Sequence, residues 1–239
     1  MKPVNGAYKA INRAVTRALR SYRMIEDGDR ILVGISGGKD SLSLLWSLAD
    51  KLPRSPAGYA LFPVYIDPGF GADFIPRIRK FCDALGFPLQ VEYTDYGVRA
   101  HSPENRENPC FLCSRLRRKR LFEVAESLGC RKIALGHHKD DIIETFLMNI
   151  CYAGEVSTMA PCQSFFDDRF RIIRPLAFAE EDLIRRFSGV MDFPEALNPC
   201  PSATHSKRRE VKDMLNHLYR GNRKVRGNIF RALSRVTLA

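Results

Sequence analysis

The 239-residue chain has no apolar run near the roughly 20 residues needed to cross a bilayer. Its opening stretch, MKPVNGAYKAINRAV, also lacks the continuous apolar segment and small-residue cleavage site of a secretory signal. The expectation is a soluble, cytoplasmic protein without a membrane partner. A paired-cysteine framework is missing as well: the seven cysteines are odd in number and irregularly spaced in a long chain. Cys82, Cys130, Cys151 and Cys162 stand singly among apolar or helical residues and read as core or incidental thiols. There is no internal repeat, low-complexity segment or linker. Acid is absent from the first 25 residues, which carry Lys2, Lys9, Arg13, Arg17, Arg20 and Arg23.

What is present begins with charge. The net charge is +11, and residues 206–239 hold ten Lys/Arg against two Asp/Glu. Both ends are therefore basic around a nearly balanced middle. Solvated helix faces explain most such runs. Two basic ends on a compact domain favour a polyanion, most simply nucleic acid. Apolar residues make up 45% of the chain, enough for a sizeable core.

Hydrophobic spacing predicts a helix over Lys9–Met24, with Ile11, Val15, Ala18, Leu19 and Tyr22 along one stripe. Arg30–Ile35 reads as a strand, Ser41–Leu52 as a helix stopped by Pro53, and Ala60–Ile66 as a second strand. Phe74–Leu85 is a helix closed by Gly86. Leu89–Tyr93, Lys132–Leu135 and Phe170–Ile173 read as further strands, and Ser114–Leu128, Lys139–Cys151 and Glu180–Phe187 as further helices. Thr94–Pro109 is polar and punctuated by Pro and Gly, a loop that delivers Cys110. Strands alternating with helices imply a parallel sheet covered on both faces, with ligands at the carboxyl ends of its strands. The loops after Ile35, Ile66 and Leu135 should then face one crevice. The expected architecture is α/β, a Rossmann-like parallel-sheet domain over residues 30–200. A basic N-terminal helix (1–29) and a basic helical C-terminal extension (201–239) flank it.

Residues 31–46, ILVGISGGKDSLSLLW, form a strand, a glycine turn and a helix start. The turn is not a Walker A loop: three residues separate Gly34 from Gly38-Lys39, and Asp40 stands where Ser or Thr is required. It is not the dinucleotide fingerprint either, because the third glycine is missing. It nevertheless has the means to hold phosphate. Gly37 and Gly38 admit close approach of backbone N–H groups at the positive end of the following helix. Ser36 and Ser41 add hydroxyl donors, Lys39 adds charge, and Asp40 is suited to holding Mg²⁺ between phosphates.

Cys110-Phe-Leu-Cys113 ahead of a helix has three readings. A structural zinc site needs four ligands, for which Cys200 and His205 are available. A redox dithiol needs the pair alone. An iron–sulfur cluster on Cys110, Cys113 and Cys200 would leave one iron open. Spacing does not choose among them.

Ser36-Gly37-Gly38-Lys39-Asp40-Ser41 resembles the PP-loop signature of the ATP pyrophosphatase superfamily, whose members split ATP into AMP and pyrophosphate. Three further motifs extend the likeness: Pro109-Cys110-Phe-Leu-Cys113-Ser-Arg-Leu-Arg-Arg, Leu135-Gly136-His137-His138-Lys139-Asp140-Asp141-Ile-Ile-Glu144-Thr145 and Ile173-Arg174-Pro175-Leu176. Together they make the chain similar to the TtcA-type tRNA 2-thiocytidine synthetases from about Gly6 to Cys200. One departure is Asn198-Pro199-Cys200-Pro201-Ser202-Ala203, where the family commonly carries a second cysteine and only Cys200 is left to serve.

The resemblance implies a PP-loop ATPase domain using ATP, Mg²⁺ and a 4Fe-4S cluster held by Cys110, Cys113 and Cys200. The implied reaction adenylates the C2 oxygen of an anticodon-loop cytidine (position 32 in the family) and replaces it with sulfur. The implied partners are a tRNA and a sulfur donor such as a cysteine desulfurase, with a homodimer as a further expectation. In that frame Ile66 meets adenine through its backbone, and Gly136 lets the nucleotide approach the fourth strand. Asp141 holds Mg²⁺ or orients the substrate, and Arg117, one turn beyond Cys113, reaches from cluster to phosphate. Lys39, Asp40, Arg117 and Asp141 form the expected catalytic set. Helix capping competes as the role of Asp140 and Asp141. Arg115, Arg118 and Arg120 read as a solvated face, and His137 and His138 as structural residues before bases. Two other functions stay open: thiolation of another tRNA base such as uridine, and RNA binding by a zinc-stapled protein without thiolation.

Overall fold

The computed structural model describes residues 6–71, 73–194, 196, 199–202 and 207–233. Lys2, Asn198, Ala203 and His205 lie outside the described residues. The strands are β1 (Asp29–Ile35), β2 (Tyr59–Asp67), β3 (Gln90–Tyr93), β4 (Lys132–Ala134), β5 (Cys162–Phe165) and β6 (Phe170–Ile173). They form one six-stranded sheet in the order β3-β2-β1-β4-β6-β5. Every pairing is parallel except that of β5 with β6. The parallel sheet expected from the sequence is present, and β5, which the sequence did not announce, adds one antiparallel strand at its edge. β5 is a four-residue strand, CQSF, without the apolar or β-branched run that marks a strand. Its turn into β6 rests on three consecutive left-handed residues, Phe166, Asp167 and Asp168, none of them a glycine that would announce the turn.

The helices are α1 (Gly6–Ser21), α2 (Lys39–Lys51), α3 (Ile75–Ala84), α4 (Tyr96–Ala100), α5 (Pro109–Ser127), α6 (Lys139–Met148), α7 (Glu181–Met191), α8 (Lys207–Gly221) and α9 (Lys224–Ala232). The two-residue period of the strands distributes them over both faces. Ile31, Val33 and Ile35 of β1 share one core with Ile11 and Val15 of α1, Leu45 of α2, Ile78 of α3 and Phe187 of α7. Leu32, Val64, Ile66 and Ile133 share the opposite core with Phe122, Val124 and Ala125 of α5. A third cluster joins Ile143 of α6 to Val211 and Leu215 of α8, with Ile229 and Phe230 of α9 packed against it. The basic N-terminal helix is therefore a layer of the domain and not an appendage. Its buried stripe of Ile11, Val15 and Ala18 is the one its spacing predicts.

The chain leaves β1 towards β2 on one side and returns to pair β4 on the other. That reversal opens a crevice at the carboxyl end of β1, where an open α/β sheet binds its ligands.

Candidate active site

At that end the chain turns through Ser36, Gly37 and Gly38 into α2. Gly37 has φ +82°, and a Cβ there would lie 2.8 Å from the Phe74 ring and 3.0 Å from the Ala196 Cβ. Backbone and space both require glycine. Gly38 is the N-cap, extended at φ −81° and ψ 159°, and no side chain caps the helix. The first N–H groups of α2 thus face the crevice mouth without a side-chain acceptor, at the positive end of the helix. Hydroxyls hold the turn in shape. Ser41 Oγ donates to the Gly38 carbonyl oxygen at 2.9 Å and accepts the Ser36 N–H at 3.1 Å. Ser36 Oγ lies 3.2 Å from it.

The crevice is a cavity of about 310 Å³ that gathers Ser36, Asp40, Ser41, Ile66, Arg117, Gly136 and Asp141. These are seven of the expected site residues, brought together from four segments of the chain, 36–41, 66, 117 and 136–141. Lys39 is turned away: its Nζ sits 3.2 Å from Asp40 Oδ2 and 3.4 Å from Glu181 Oε1. His137 also lines the cavity. Three buried polar atoms there have no hydrogen-bond partner among the described residues: Asp40 Oδ1, Arg117 Nε and His137 Nδ1. Buried polar atoms are almost always satisfied, so an acceptor, a donor and an imidazole nitrogen left bare in one cavity mark a ligand site.

The two histidines part company here. His138 caps α6: its Nδ1 accepts the Asp141 N–H at 3.4 Å, while Asp141 Oδ2 accepts the His138 N–H at 2.9 Å. The structural reading of His138 and the capping reading of Asp141 both hold, and Asp141 still reaches the cavity. His137 is instead a crevice residue that sequence reasoning set aside. Burial pushes its imidazole down to about 4 against the pull of Asp141, so it is neutral at physiological pH.

Gly136 serves α2 before any ligand. A Cβ there would lie 3.0 Å from the Asp40 carbonyl carbon and 3.0 Å from the Ser41 nitrogen. The room it makes is occupied by the first turn of that helix. Gly136→Ala is expected to force the turn outward at an overpacking cost of about 1–3 kcal/mol. For a domain of this size that lowers the thermal midpoint by about 2–4 °C per kcal/mol, measurable by circular dichroism.

Cys110 is delivered by a helix and not by the expected loop. Asn108 Oδ1 accepts the Phe111 N–H at 3.2 Å and Pro109 occupies the first turn, so α5 begins at Pro109 and not at Ser114. The preceding polar segment itself contains α4. Cys110, Cys113 and Arg117 consequently fall at helical spacing on one face. Cys110 is exposed, Cys113 and Cys200 are half-buried, and none is in a disulfide. Burial pushes the Cys113 thiol up; Arg117 opposes this, and charge on Cys200 and Cys110 adds to it. The charge of Cys200 thus reaches Cys113 despite their distance in sequence. Among the described residues no three His, Cys, Asp or Glu close into a metal cage. The donor chemistry still fits a thiolate-held cluster: three cysteines, two of them in the first turns of one helix.

The C-terminal cations were expected to face a polyanion, yet three of them turn inward. Arg208 lies 3.4 Å from Asp141 Oδ1 and donates to Thr145 Oγ1 at 3.1 Å. Lys212 pairs with Glu181 at 2.7 Å. Arg226 pairs with Asp140 at 3.0 Å and with Glu180 at 2.9 Å. Burial alone would raise the Glu181 carboxyl, but Lys212 and Lys39 outweigh it and hold that group down at about 2. Glu144, buried in the same layer, goes the other way: burial, then the Asp141 charge, pushes it up to about 7. A carboxyl raised from 4.5 in this way favours the fold at low pH and loses that contribution as pH rises towards 7. Glu144→Gln is thus expected to leave stability nearly unchanged at pH 4 and to raise it by about 1–3 kcal/mol at pH 8, read from urea unfolding.

A strand, an uncapped glycine turn and a helix start at the switch point of a parallel sheet define a nucleotide-binding α/β protein. The family described as PP-loop domain matches residues 8–188. Proteins named tRNA-cytidine(32) 2-sulfurtransferase from Bordetella avium and Pelobacter propionicus are 42% and 37% identical to the chain. The matches cover 97% and 96% of this chain, and 74% and 86% of those proteins. The solved structure of the U34-tRNA thiolase NcsA from Methanococcus maripaludis, with its 4Fe-4S cluster, is similar at a TM-score of 0.81 and 26% identity. That likeness covers 96% of this chain and 78% of the other. The chain belongs to the PP-loop family and, within it, to the tRNA-cytidine(32) 2-sulfurtransferase family.

Proposed function

We propose that this protein is an ATP-dependent tRNA thiolase that adenylates the C2 oxygen of cytidine 32 and replaces that oxygen with sulfur. One observation carries the reading. Asp40 Oδ1, Arg117 Nε and His137 Nδ1 stand bare in a cavity beside the glycine turn, one helical turn from Cys113.

In this reading the phosphates of ATP rest on Ser36, Gly37, Gly38 and Ser41. The backbone N–H groups and two hydroxyls there offset charge developing on the leaving pyrophosphate. Lys39 adds positive charge from the rim. Ile66, at the carboxyl end of β2, offers its backbone to adenine, and Gly136 keeps the floor low. Asp40 and Asp141 would hold Mg²⁺, which supplies polarisation of the phosphates. The C2 oxygen attacks the α-phosphorus, the bond to the β-phosphate breaks, and pyrophosphate departs. Arg117 steadies the adenylate from the cysteine side. Cys110, Cys113 and Cys200 would hold the 4Fe-4S cluster, which would supply sulfur to the activated carbon. A carbon–sulfur bond then forms at C2 as the carbon–oxygen bond breaks and AMP leaves. A loop base suits this chemistry, because it costs less to splay out than a paired one.

A tRNA is the substrate; a sulfur donor such as a cysteine desulfurase, a homodimeric state and a cytoplasmic location complete the proposal. Among the described residues no helix is long and apolar enough to cross a membrane. Nucleoside mass spectrometry of tRNA from cells with and without the protein tests the reading. Loss of 2-thiocytidine is expected. Loss of a thiouridine instead would favour the second reading, uridine thiolation, which the likeness to a U34-tRNA thiolase supports. Unchanged thionucleosides, or stoichiometric zinc without iron in the purified protein, would sink both.

A further inference from the structure

We propose that the groove between α3 and α7 binds the ribose-phosphate backbone of the tRNA next to the reacting nucleotide. This inference rests on the tRNA-thiolase reading. The groove is a cavity of about 920 Å³, three times the volume of the reaction crevice. Arg77 and Lys80 of α3 line one wall, Arg185 of α7 lines the other, and Lys39 closes one end. Phe81 and Phe193, packed edge-on at 5.2 Å, belong to its lining. Arg77 and Lys80 are exposed and carry no ion pair or hydrogen bond among the described residues. Of the other lining cations, Lys39 pairs with Asp40 and Glu181 and Arg185 with Glu181 and Asp182, so the uncompensated positive charge of the groove is that of Arg77 and Lys80, with Asp192 the acidic residue of the lining.

Position ties the groove to the chemistry. Lys39 lines the groove and its chain neighbour Asp40 lines the reaction crevice, with Lys39 Nζ 3.2 Å from Asp40 Oδ2. Pro194 forms part of the groove rim, and the chain runs on from it to Cys200. Arg208, Lys212 and Arg226 are engaged by carboxylates, whereas, among the described residues, Arg77 and Lys80 of α3 are not. The shape separates a strand from a small anion. A single phosphate or pyrophosphate is held by donors converging on one point. Cations spread along two helices, with aromatic surface between them, match successive phosphates and a ribose or base.

The test is tRNA binding by the otherwise intact protein, followed by fluorescence anisotropy across a salt series. Arg77→Ala/Lys80→Ala and Arg77→Glu/Lys80→Glu are compared with the parent, with ATP binding and cluster content measured in parallel. Both changes lie on an exposed helix face, so the fold should persist. Loss of two phosphate contacts is expected to raise the tRNA Kd about tenfold and to flatten the log–log salt slope by about 1.4–1.8. Charge reversal should weaken binding further, with ATP affinity and cluster content unchanged. An unchanged Kd and slope, in a parent that binds tRNA, overturns the groove and leaves the thiolase reading standing. Loss of ATP or pyrophosphate affinity with intact tRNA binding also overturns it, assigning the groove to the nucleotide. A parent protein with no affinity for tRNA overturns the thiolase reading and the groove with it.

Discussion

A Cys200→Ala protein is expected to emerge colourless, with its iron and labile sulfide lost and tRNA thiolation reduced at least about 100-fold. That exceeds the ~10–100-fold typical of residues supporting a metal ligand from behind, because a ligand itself is removed. Cys110 and Cys113 sit in the first turns of α5 and present two thiols, while Cys200 arrives from a separate segment and its charge acts on Cys113. Two thiolates from one helix cannot enclose a cluster; the third comes only from this segment. Cys200 is half-buried and outside the three apolar clusters, so the fold should survive its loss. ATP binding, measured on the same sample, should therefore be retained. A Cys200→Ala protein with full iron content and full activity would refute the three-cysteine site.

Ser41→Ala is expected to cut tRNA-dependent pyrophosphate release by about 10²–10³, the penalty usual for losing one donor of a preorganised anion cradle. Ser41 is 4% exposed, and its hydroxyl ties together both ends of the glycine turn through Gly38 and Ser36. Removing it loosens the geometry of the N–H groups that would meet phosphate, because the Ser41 hydroxyl donates to the Gly38 carbonyl oxygen and accepts the Ser36 N–H. The stability cost should stay near 1 kcal/mol, that of an ordinary hydrogen bond. Activity and stability thus separate, which distinguishes a phosphate cradle from a merely structural turn. Pyrophosphate release at the parental rate would show that the hydroxyl plays no part in the reaction.

The glycine turn was legible because its chemistry is local. Two glycines, two serines, a lysine and an aspartate within six residues need no distant partner to suggest a phosphate. The alternating strands and helices were legible for the same reason, as was the buried stripe of α1. Boundaries set by caps were less so: α5 starts at Pro109 because Asn108 caps it, and that moved the cysteine pair from a loop onto a helix. β5 escaped notice because four residues without a hydrophobic pattern pair only with the strand that follows them.

The sequence by itself determined the parallel α/β scaffold, the candidacy of residues 36–41 as a phosphate cradle and the candidacy of three cysteines as ligands. Each follows from residue type at short spacing, where backbone geometry is predictable. Tertiary structure alone decided that His137 would be bare in the crevice while its neighbour His138 capped a helix. It also decided that Gly136 would be pressed against the backbone of α2, and that Arg208, Lys212 and Arg226 would bind carboxylates. The last shift matters for function, since it withdraws three of the C-terminal cations from any RNA. Charge on a helix says nothing of its direction until packing sets which face is covered. For α8 and α9 that face is set by apolar contacts with α6, more than 60 residues earlier in the chain.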